Sequence, residues 1–103
     1  MSKTHEPAPI EKEEITKLNF PKTEVLTSAE HHTKRDYELK RISKLGNNDH
    51  VKVKIIFEDS ESVKQVETTI WGLTDMHVIL KRGINIPLHR IYSINTCPWV
   101  LTI

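Results

Sequence analysis

Six histidines and a single cysteine are the side chains of this 103-residue sequence best suited to holding a metal or driving covalent chemistry. A metal site needs three or four converging ligands, and in sequence these show as close pairs such as C-x-x-C or H-x-x-x-H. Neither spacing occurs. His32 and Asp36 stand four apart, where a helix would bring them to one face, as it would His31 and Arg35, but each pairing supplies two groups at most. His77, His89 and Cys97 fall in strand-like sequence with no ligand spacing between them. Cys97 precedes Pro98 and carries no signature of an activated nucleophile. Glu58, Asp59 and Glu61 cluster in a turn-like stretch, where water is expected to solvate them instead of tuning one as a general acid. Gly46, Gly72 and Gly83 are too scattered for a dinucleotide or Walker A phosphate loop. These residues predict no metal, no cofactor and no catalysis, and therefore a non-enzymatic binding protein.

Binding chemistry has better candidates. Lys52, Lys54, Lys81, Arg82 and Arg90 with Trp71 combine cations and an aromatic ring, the side chains that track phosphates and stack bases of single-stranded nucleic acid. Each also has a plainer role: outward lysines guard a strand against edge pairing, and a tryptophan at a strand end often packs as a lid. A competing surface is apolar. Ile56 and Ile79 fall on outward strand faces and, with Trp99, Val100, Leu101 and Ile103, would suit a protein partner or a second copy. The charge pattern is a modest guide. Net charges are −2, +2, −2 and +3 over residues 1–30, 31–50, 51–75 and 76–103, and the sequence pI of about 7.9 lies below the value of about 9 that marks a strongly basic nucleic-acid domain.

The elements that must position these residues are those of one small domain, because a chain this short builds a single core. Hydrophobic residues make up 37% and charged residues 28%, and no apolar run is long enough for a membrane span. One cysteine and an acidic, polar start without a secretory pattern place the chain in the reducing cytoplasm. Residues 1–26, with Pro7, Pro9 and a Glu11-Lys12-Glu13-Glu14 cluster, read as a flexible tail in which Ile15, Leu18 and Phe20 could dock loosely; residues 27–103 read as the domain. Thr27-Ser28-Ala29-Glu30 matches a capping box, Leu39, Ile42 and Leu45 form one apolar arc, and Gly46 predicts the helix stop. From Val51 the period changes to two: Val51, Val53, Ile55 and Phe57 share one strand face, and Val66, Thr68 and Ile70 share a face of the next strand. A three-residue loop, Lys81-Arg82-Gly83 with Gly83 at positive φ, pairs Leu80 with Ile84 and Val78 with Ile86. It gathers Met76, Val78, Leu80, Ile84, Ile86 and Leu88 on one face. A corner over 88–90 leads into a last strand over 91–95.

The expected architecture is α+β, mainly β: an N-terminal helix followed by a five-stranded antiparallel small barrel, closed to remove its edges. The order of elements, with Val51 to Phe57 as first strand and Ile84-Asn85-Ile86-Pro87-Leu88-His89-Arg90-Ile91-Tyr92-Ser93-Ile94 as the last two, resembles the Sm-like, SH3-like small barrel and its bacterial Rho-off relatives. The resemblance covers about half the chain and implies binding of single-stranded RNA or a transcription-related partner. The Asp and Asn pair of the first Sm motif and the Arg-Gly of the second are absent, so no pocket residue is carried over. A second likeness ranks below it. Gly72-Leu73-Thr74-Asp75, Val78-Ile79-Leu80 and Ile86-Pro87-Leu88-His89-Arg90-Ile91 are similar to the strands of bacterial PH or GRAM-type domains, whose closing helix is replaced here by Cys97-Pro98-Trp99-Val100-Leu101-Thr102-Ile103.

Overall fold

The computed structural model describes residues 7–49 and 52–96. His50, Val51, Cys97, Trp99, Val100, Leu101 and Ile103, and the side chain of Leu45, lie outside the described residues, and with them the expectation that the last residues close a barrel. The elements are β1 (Ala8–Pro9), a 3-10 turn (Lys12–Lys17), α1 (Ala29–Asp49), β2 (Lys52–Glu58), β3 (Val63–Leu73), β4 (His77–Leu80), β5 (Asn85–Pro87), a 3-10 corner (Leu88–Arg90) and β6 (Ile91–Thr96).

Alternation of side chains builds the sheet from the sequence upward. Val53, Ile55 and Phe57 of β2 are fully buried, as are Val66 and Ile70 of β3, while the residues between them face outward. β2 pairs antiparallel with β3 in the register Lys52↔Thr69, Lys54↔Glu67, Ile56↔Gln65. The β4–β5 turn is the three-residue loop that the pattern of apolar residues demands. Leu80 N donates to Ile84 O at 2.7 Å, Val78 pairs with Ile86, and Gly83 takes φ 78°. Arg82 also enters the left-handed region, with φ 69° and ψ 17°. Of the six residues expected on that face, Val78, Leu80 and Ile86 are buried and Ile84 and Leu88 pack against the core. Met76 is exposed instead, because it lies in the Thr74-centred turn before β4, where strand alternation does not apply.

The five main strands follow the order β5-β4-β3-β2-β6, each antiparallel to its neighbour, with β1 parallel to the free stretch of β3. Among the described residues the sheet has six strands and is open, which corrects the expected closed five-stranded barrel. Among the described residues β5 pairs with β4 alone and β6 with β2 alone. Closure is disfavoured locally: β5 has three residues, Pro87 has no N–H to offer, and the chain turns through one 3-10 turn into β6.

The apolar face is covered by other means. α1 lays Leu39 and Ile42 on it, and the stretch read from composition as a tail, from Pro7 to Leu26, runs along the domain. Ile15 is buried, Ile10, Leu18 and Phe20 pack against the core, and the rings of Phe20 and Phe57 sit 6.0 Å apart. Backbone bonds from Ile10 N to Gln65 O and from Ser60 N to Asn19 O tie the segment down. Its few apolar side chains are spaced to reach one surface, which a composition average does not register. The helix begins one residue later than the capping box suggests: Ser28 Oγ accepts from the amides of Glu30 and His31, and Thr27 is exposed. It also continues through Gly46 to Asp49.

Candidate nucleic-acid interface

The outward face of β2 and β3 carries three of the six residues proposed from sequence, and a fourth, Lys81, is exposed in the turn after β4. Lys52 is exposed and stands opposite Thr69; Lys54 stands opposite Glu67, with Nζ 3.9 Å from its carboxylate. Ile70 pairs with Leu80, both buried, and the next residue, Lys81, is exposed at the start of the 3-10 turn that joins β4 to β5. The register shifts between Ile70 and Gly72, which makes Trp71 the extra residue of a β-bulge. Trp71 is 50% exposed, and its Nε1–H donates to Thr69 Oγ1 at 2.9 Å, which ties the indole to the outward face of β3.

The other two lie elsewhere. Arg82 is exposed at the turn tip, within electrostatic reach of Glu13. The Glu13 carboxyl is held below its ordinary value chiefly by its bond to Lys12, with Arg82 the smallest contributor. Arg90 is 6% exposed and cannot serve as a phosphate contact. Its guanidinium donates to the carbonyls of Glu58 (3.0 Å), Thr23 (2.7 Å) and Asp59 (3.5 Å) and to Thr23 Oγ1, filling the corner before β6.

The apolar pair does not form one patch. Ile56 and Ile79 are both partly buried, and their partners on β3, Gln65 and Gly72, are seven residues apart, roughly 23 Å along a strand. Asp59, expected in water, is buried. Its Oδ1 accepts the amides of Glu61 and Ser62 and its Oδ2 accepts Lys64 Nζ at 2.9 Å, bonds that together outweigh desolvation and hold its carboxyl below the ordinary value. An aspartate followed by short polar residues is the mark of such an Asx turn, and that signal was present in the sequence.

A second feature had no sequence signal. α1 and the outer edge of β6 enclose a groove of about 720 Å³, entered by residues 25–27. Arg35 lies beneath it, buried, with Nη1 and Nη2 on the Glu24 carboxylate at 2.8 and 2.9 Å and Nη1 also on Ile91 O at 3.0 Å. Burial opposes the charge on Glu24, but the Arg35 bonds, the Leu26 amide and the Arg35 and His32 charges prevail and hold its carboxyl at about 2. Nearby, the Tyr92 hydroxyl donates to Glu58 at 2.5 Å, which with burial pushes the phenol up to about 12.

Among the described residues no group of three or more His, Cys, Asp or Glu side chains converges as a metal site, and no helix is long and apolar enough to cross a membrane. No family model, characterised protein or solved structure compared with the chain matches it.

Proposed function

We propose that the protein is a non-enzymatic binding module whose outer sheet face takes single-stranded RNA. The observation that carries this reading is Trp71: a half-exposed side chain tied to Thr69, on the sheet face that carries Lys52 and Lys54. A ring in a fixed orientation stacks a base with little entropy left to lose, and exposed lysines supply contacts for a flexible phosphate chain. Glu67 opposes Lys54, so Lys52 and Lys81 are the stronger phosphate partners. The order of helix, long strand, two hairpins, corner and last strand is also the order on which the Sm-like resemblance rests.

The test is an amide NMR titration with mixed-sequence single-stranded RNA at low and high salt. Shifts should cluster at Lys52, Lys54, Trp71 and Lys81, fade as salt rises, and spare Arg90. Trp71→Ala should weaken binding by about tenfold or more, given roughly 1–3 kcal/mol for a stacked base. Silence at low salt would remove the reading. A protein-adaptor role through Ile56 and Ile79 draws less support, since those side chains lie on separate parts of the sheet.

A further inference from the structure

The groove between α1 and β6 is independent of the outer face, and we infer that it is the docking site of an extended acidic peptide, which adds as a strand along the outer edge of β6. Two observations converge on this occupant. First, β6 ends the hydrogen-bonded path of the sheet, so among the described residues no strand lies beside its outer edge. Residues 92–95 line the groove along that edge. A row of unpaired backbone groups is a template for another strand, and main-chain bonds would supply the affinity. Arg35 already caps Ile91 O, where the edge begins, and so fixes the start of the open stretch.

Second, the facing wall selects charge. Lys34, Arg35 and Arg41 stand against a single carboxylate of the lining, Glu38. Glu24 neutralises Arg35 and Glu38 holds Arg41 at 2.6 Å, whereas Lys34 is exposed and has no ion pair among the described residues. The same charges disfavour a second copy. Pairing β6 with its own symmetry mate would bring two Lys34-bearing walls together, and like charges across an interface are repulsive.

The experiment uses the full chain, labelled with nitrogen-15, and a six-residue peptide alternating glutamate and valine. Saturable shifts are expected at the amides of Ser93, Ile94 and Asn95. Lys34→Glu, at an exposed position that leaves melting unchanged, should raise Kd about three- to tenfold. The same peptide N-methylated at alternate amides should lose binding, because it cannot complete a ladder, while Trp71→Ala should leave peptide binding intact. The inference is overturned if the N-methylated peptide binds as well as the parent. It is equally overturned if free glutamate at equal concentration reproduces the shifts, or if sedimentation shows the unliganded chain dimerising through these same amides.

Discussion

Arginine 90 shows why charge type alone misleads about function. A guanidinium withdrawn from water must direct its donors to acceptors inside the protein, and here they meet three carbonyls and a hydroxyl from two distant parts of the chain. Its partner Thr23 lies 67 residues earlier, so nothing near Arg90 in sequence distinguishes it from the exposed Lys81 or Arg82. Glu24 and Arg35 form a second such tie, with a consequence for pH. The Glu24 carboxyl is held at about 2 against an ordinary 4.5, so the folded state favours its charged form. A depressed carboxylate contributes stability that is fully present above about pH 4.5 and is lost as pH falls towards about 2. The loss should be about 2 kcal/mol, allowing for the 26% exposure of the side chain. Urea denaturation between pH 7 and pH 2 reads it directly. Glu24→Gln should be less stable at neutral pH, with a flatter profile through that window; a profile parallel to that of the unchanged chain would refute the assignment.

At the scale of elements, legibility followed the range of the interaction. The period-two runs of β2 and β3 were readable because alternation is set by the strand itself, and Lys52, Lys54 and Trp71 came with them onto the outer face. The β4–β5 register was readable because only a three-residue loop puts Val78, Leu80 and Ile86 on one side. The bulge at Trp71 was not, since it arises from the offset of β4 against β3, and neither was the openness of the sheet, which depends on strands that are not consecutive. The helix start was misplaced by one residue because Thr27 and Ser28 are both competent caps, and only the backbone path decides between them. The loop also yields a paired prediction. Both Arg82 and Gly83 have positive φ, but arginine is strained there and glycine is not. Gly83→Val should destabilise by about 1–3 kcal/mol through strain alone, because open space surrounds the missing Cβ. Arg82→Gly should be neutral or slightly stabilising. Thermal melting of the two variants separates backbone strain from side-chain contact, and equal loss in both would contradict the strain account.

For the whole molecule the question is how an open sheet this small keeps its apolar face dry. A barrel would do so by closure; here α1 covers one part, and the segment before it, through Ile15, Leu18 and Phe20, covers another. That division makes residues 7–26 part of the folding unit, although the stretch is rich in charge and proline. Ile15 decides the matter, being the one residue of the segment that is buried outright, at 2% exposure. If the segment is integral, Ile15→Ala leaves a cavity and should cost about 2–4 kcal/mol, the range for large-to-small changes in a core. In a domain of this size that lowers Tm by on the order of 10 °C or more. Glu14→Ala, one residue away and exposed, should stay within about 0.5 kcal/mol of the original and controls for local helix effects. A Tm for Ile15→Ala indistinguishable from that control would mean that the segment only rests on the domain. The apolar face of the sheet would then depend on α1 alone, and the open architecture would need some other cover.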